Sequence, residues 1–78
     1  MGLSTAQQLR GARAMLAWSQ RELAERSGLS VPTIKRLESG NGLLAIRLTT
    51  LKKLQSTLEA AGIRFIPENG GGPGVRIG

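Results

Sequence analysis

The 78-residue chain contains no cysteine, no histidine and no tyrosine, and its five acidic residues are all glutamate. Without cysteine there can be no disulfide staple and no thiolate metal site. Without histidine the usual neutral-pH proton shuttle and the commonest metal ligand are missing. No metal and no cofactor is therefore expected. No glycine-rich phosphate loop follows a strand, and Gly70-Gly71-Gly72 has no lysine beside it. An enzyme is not expected. Long apolar runs are also missing: none approaches the ~20 residues that span a bilayer, and no charged start leads into a signal-type apolar segment. The expectation is a cytoplasmic protein that does not engage a membrane. A chain this short buries only about 60% of its unfolded surface, so dimerisation is the expected supplement to a small core.

Positive charge is what the sequence has in excess. Eleven Lys and Arg against five Glu give a formal net charge of +6. That imbalance points to an anionic partner, with nucleic acid ahead of a membrane surface.

Helical periodicity runs through residues 4–62. The spacing of Leu9, Ala12 and Leu16 predicts a first helix from about Thr5 to Ala17, with Ser4 as N-cap. Arg13 falls on the same inward stripe, and a cation there is costly unless it is paired. Ser19-Gln20-Arg21-Glu22 fits a capping box, Leu23 and Ala24 then face inward, and Gly28 ends a second, short helix. Ser30 begins a third helix whose first turn tolerates Pro32, and Ser39-Gly40-Asn41-Gly42 stops it. A fourth is expected from about Thr50 to Ala61, capped by Thr49, ended by Gly62 and striped by Leu51, Leu54 and Leu58. Leu43, Leu44 and Ile46 are expected to cover the core from the connection between the last two helices, and Trp18 to lie in the core.

Residues 63–78 differ in character. Ile63-Arg64-Phe65-Ile66 and Val75-Arg76-Ile77 are β-prone runs around a Pro- and Gly-rich stretch from Pro67 to Gly74. They can pair as a hairpin, although the loop is long and an isolated two-stranded ribbon is marginal in water. Alternatively, the first run pairs with its counterpart in a second chain, which uses its exposed edge better. On that reading Ile63, Phe65 and Ile66 form a dimerisation segment. The expected fold class is all-α: a four-helix domain over 1–62 with a short C-terminal β segment over 63–78.

The second and third helices, joined by a tight glycine-containing turn, have the spacing of a helix-turn-helix. Projecting the third helix at about 100° per residue places Ile34 and Leu37 inward. Pro32, Lys35, Arg36 and Ser39 point outward, with Val31 and Thr33 flanking the N-terminal end. A short anchored helix with such a face can enter the major groove.

On these residues the chain resembles a known family. Leu9-Arg10-Gly11-Ala12-Arg13, Trp18-Ser19-Gln20-Arg21-Glu22-Leu23-Ala24, Gly28-Leu29-Ser30 and Thr33-Ile34-Lys35-Arg36-Leu37-Glu38-Ser39-Gly40 look like the lambda-repressor-like (XRE-type) helix-turn-helix family over roughly residues 7–62. Leu48-Thr49-Thr50-Leu51, with the β-prone run after the last helix, is similar to HipB-type antitoxins, whose strand pairs across a dimer. The resemblance implies a transcriptional regulator, a repressor more readily than an activator, that binds a palindromic operator in double-stranded DNA as a homodimer. The rival it implies is an antitoxin that holds a toxin protein and autoregulates its operon.

The resemblance also implies roles. Val31, Pro32 and Arg36 match base-reading positions. Val31 and Pro32 are limited to apolar contact with thymine methyls, while Arg36 can take guanine O6 and N7. Gln20 and Ser30 match phosphate-contacting positions at two helix N-termini, with Thr33 and Lys35 beside them, and Asn41 and Gly42 match a backbone-contacting loop. The family's first-helix arginine pairs with the glutamate before the glycine. That makes Arg13 and Glu38 a structural ion pair here, which also answers the cost of an inward arginine.

Overall fold

The computed structural model describes residues 2–66 and 72–78. Helices α1 (Ala6–Met15), α2 (Gln20–Ser27), α3 (Val31–Glu38) and α4 (Leu48–Ala60) are followed by strands β1 (Ile63–Ile66) and β2 (Gly74–Ile77). The four expected helices are present, and the two-stranded sheet after them makes the all-α class inexact.

α1 starts one residue later than expected. Both Ser4 and Thr5 have a glutamine three residues on, and Thr5 becomes the cap. Its hydroxyl accepts from Gln8 N at 3.1 Å, and Gln8 Oε1 accepts in return from the backbone N–H groups of Thr5 and Ser4. Gln8 is only 2% exposed, so its amide must be fully partnered. Its Nε2 donates to the carbonyls of Gly2 and Gly74, joining the N-terminal segment to β2. Gln7, the partner a Ser4 cap would have used, instead accepts from Gly42 N.

The far end of α1 also differs. The helix stops at Met15, and Ala17 sits in the left-handed region at φ 56°. Trp18 N donates to Arg13 O and Ala17 N to Ala14 O, both at 3.0 Å. These are the two bonds of a Schellman end, with alanine where glycine is usual.

α2 and α3 begin at Ser19 and Ser30, whose hydroxyls accept from Glu22 N and Thr33 N. The reciprocal half of the Ser19 box does not form, because the Glu22 carboxylate accepts from Arg26 at 2.6 Å. Gly28 closes α2 at φ 79°, a conformation only glycine adopts at no steric cost. α4 starts earlier than expected. Leu51 N donates to Arg47 O, which takes Thr49 and Thr50 into the first turn; Arg47 is the N-cap and provides no side-chain bond.

β1 pairs with β2 antiparallel within the chain, with Ile63 opposite Ile77 and Phe65 opposite Val75. The hairpin is part of the core. Ile63 is fully buried with Leu9, Leu23, Ile34, Leu54 and Leu58. Phe65 approaches Gly2 so closely that a Cβ there would lie 2.5 Å from its own. The expectation that Ile63 serves a dimer surface is thus corrected, because its side chain is fully buried in the chain's own core; Phe65 is half-buried against that core, and Ile66 is exposed. The connecting residues 67–71 lie outside the described residues.

Leu44 and Ile46 pack on the core as expected, but Leu43 is 83% exposed. The segment is extended there, with a bridge between Leu43 and Thr5, and alternation sends neighbouring side chains to opposite sides. Trp18 is half-buried against the core, and the Arg26 guanidinium stands 4.5 Å above its ring.

Candidate nucleic-acid interface

α3 is held by its inner face. Ile34, Leu37 and Glu38 are buried, while Pro32, Lys35, Arg36 and Ser39 are exposed. Neither Lys35 nor Arg36 has a salt-bridge partner among the described residues. Burying Ile34 and Leu37 stabilises the arrangement by roughly 1.5–3 kcal/mol for each side chain. An eight-residue helix has no independent stability, so this anchorage sets the aim of the outer face.

Glu38 secures the same helix from within. Arg13 Nε and Nη2 donate to its two carboxylate oxygens, each at 2.9 Å, and Arg13 Nη1 donates to Trp18 O. Gln20 Nε2 adds a third bond to Glu38 Oε1 at 3.1 Å. α1, the start of α2 and the end of α3 therefore meet at one bidentate pair, the geometry in which arginine binds a carboxylate most strongly.

A family model described as Helix-turn-helix matches residues 9–60. The chain belongs to the lambda-repressor-like (XRE-type) helix-turn-helix family. This is a family of DNA-binding transcriptional regulators, and its matched segment holds most of α1 and all of α2, α3 and α4. A search of curated proteins finds no match. Among the described residues no acidic or His/Cys cluster could hold a metal, and no helix is long and apolar enough to cross a membrane.

The residues assigned to family positions differ in how free they are. Pro32 and Arg36 lie open on α3, whereas Val31 is half-buried against the core and offers only part of its side chain. Lys35 is exposed. Ser30 Oγ donates to Thr33 Oγ1 at 2.8 Å while accepting from Thr33 N. Its proton is spent, and the hydroxyl left to donate outward is that of Thr33. Proline at the second helical position further reduces the free amides of this helix end. Gln20 has committed one amide proton to Glu38, which leaves one for an external acceptor.

Asn41 is exposed, but Gly42 is not available as expected. Its N–H donates to Gln7 Oε1 at 2.8 Å, and its carbonyl accepts from Ala6 N at 2.9 Å. Both backbone groups are used internally, which corrects its assignment as a phosphate contact.

Arg10 was missed by sequence reasoning. Its Nη1 donates to the carbonyls of Glu38 and Gly40, each at 2.6 Å, and its Nη2 to Asn41 Oδ1 at 2.9 Å. The available signal was its place one turn before Arg13 on the same side of α1, where both cations reach the end of α3.

Proposed function

We propose that this chain is a repressor that reads a palindromic operator in double-stranded DNA as a homodimer, with α3 in the major groove. The observation that carries the reading is the outer face of α3, where Pro32, Lys35, Arg36 and Ser39 stand exposed on a helix anchored by Ile34 and Leu37. Arg36 reads guanine through O6 and N7, and Pro32, with what Val31 exposes, meets thymine methyls. Lys35, Thr33 and Asn41, with the second amide proton of Gln20, contact phosphates and set the register. Two copies place their α3 helices about 34 Å apart, one turn of duplex. Occupancy of the site then excludes polymerase or a competing regulator.

The test is selection of bound fragments from the source genome, followed by footprinting and titration at two salt concentrations. Two protected half-sites one helical turn apart, with affinity falling steeply as salt rises, support the reading. Weak binding with no sequence preference refutes it. Stoichiometric co-purification of a larger protein would shift the reading to an antitoxin whose DNA binding is autoregulatory.

A further inference from the structure

We propose that Arg10 is a positioning residue for DNA contact: it holds the loop after α3 in its binding shape and acts through Asn41 rather than by touching DNA itself. This rests on the DNA-binding reading above. The loop is Ser39-Gly40-Asn41-Gly42, a sequence with little conformational preference of its own, since glycine has the largest backbone freedom. α3 ends at Glu38, so its last carbonyls have no partner within the helix. The Arg10 guanidinium supplies one to Glu38 O, continues to Gly40 O, and finishes on Asn41 Oδ1. Its charge also lies at the negative end of the helix dipole.

The remaining side of the loop is fastened by the first turn of α1 and the residues just before it. Gln7 Oε1 accepts from Gly42 N, Ala6 N donates to Gly42 O, and Leu44 N donates to Ser4 O. The loop is thus laced to α1 at Gly40, Asn41 and Gly42.

The bond at Asn41 has a directional result. Because Oδ1 accepts from Arg10, the Nδ2 group, a donor only, is turned to the other side of the amide. Among the described residues Nδ2 has no partner, and Asn41 is exposed. Two neutral donors are thereby presented next to the reading helix, where an unfastened asparagine would sample many orientations. The chemistry they suit is an anionic oxygen of the duplex backbone. Holding a contact group in its bound geometry lowers the ordering cost of association.

Three behaviours separate positioning from direct contact and from mere stabilisation. Removing an arginine that itself neutralises a phosphate lowers the salt slope of binding by about 1. Removing one that acts through a neutral amide weakens binding and leaves the slope alone. Lysine keeps the charge but cannot reproduce a planar fork with several acceptors, so a positioning role is not rescued by it.

The experiment uses the full chain and a duplex carrying its selected site, with anisotropy titrations at several salt concentrations. The temperature is one at which circular dichroism shows every variant folded. Arg10→Ala and Arg10→Lys are both expected to bind about tenfold more weakly, equivalent to about 1.4 kcal/mol, with an unchanged salt slope. Asn41→Ala is expected to bind as weakly, and adding it to Arg10→Ala to cost little more. Should Arg10→Ala prove too unstable, the Arg10→Lys and Asn41→Ala arms decide the matter. A slope reduced by about 1 in Arg10→Ala and restored in Arg10→Lys would overturn the proposal in favour of direct contact. Variants that bind like the wild type would overturn it in favour of a purely structural role. Failure of the wild type to bind any duplex would instead remove the DNA-binding reading and this inference with it.

Discussion

Removing Arg13 is expected to be among the most damaging single changes to this fold. Glu38 is 5% exposed and its carboxylate is held bidentately by Arg13. Truncating the arginine leaves a buried charge, and breaking a buried pair from one side costs about 3–5 kcal/mol. Gln20 still donates to Glu38 Oε1, which places Arg13→Ala near the lower end, at about 3 kcal/mol. A chain of this size has roughly 4–12 kcal/mol of total stability at about 0.05–0.15 kcal/mol per residue. Each kcal/mol corresponds to about 4–8 °C in a domain of this size, so Tm should fall by roughly 12–24 °C. The assay is urea unfolding followed by the fluorescence of Trp18, the sole tryptophan. The double variant Arg13→Met/Glu38→Leu removes the charge along with its partner and should lie within about 1 kcal/mol of wild type or above it. A loss below about 1 kcal/mol in Arg13→Ala, the range of exposed pairs, would refute the reasoning. So would a double variant as unstable as the single.

Arg36→Ala should relax discrimination at one base pair by about 1–3 kcal/mol, whereas Lys35→Ala should weaken all sequences alike and lower the salt slope by about 1; parallel titrations on the site and on mismatched duplexes check both. Ala17→Gly should raise Tm, because a left-handed alanine costs roughly 1–2 kcal/mol and the added freedom of glycine in the unfolded chain returns only about 0.4–1 kcal/mol of that; a lower Tm would contradict the Schellman end. Gly2→Ala should destabilise by about 1–3 kcal/mol through overpacking against Phe65, measurable by thermal unfolding, and unchanged stability would mean the N-terminal segment shifts freely.

The helix pair was readable because local signals agreed with one another. Ser19, Gly28, Ser30 and the Ile34/Leu37 spacing each specify a cap, a turn or a face without reference to distant residues. The Arg13–Glu38 contact was also legible: a cation on an apolar stripe demands an anion close by, and the family resemblance pointed to Glu38 as that anion. Where local rules offered two equal answers, tertiary partners decided. Thr5 displaced Ser4 as cap because Gln8 is buried and Gln7 is drawn to Gly42. Leu51 N found Arg47 O, so α4 outran its threonine cap. The all-α class was inexact for a similar reason: a two-stranded ribbon is marginal alone, but Ile63 gives this one a share of the core. Gly42 and Arg10 escaped sequence reasoning because nothing in the chain announces that α1 fastens a loop thirty residues away.

The hairpin has a bearing on how the protein can be cut. The matched segment 9–60 omits Leu3 and Ile63, both completely shielded from solvent, and also Gln8, whose amide joins the N-terminal segment to β2. A fragment trimmed to those limits would open the floor of its own interior at two places. The smallest piece able to hold α3 steady is therefore larger, at both ends, than the segment that identifies the family.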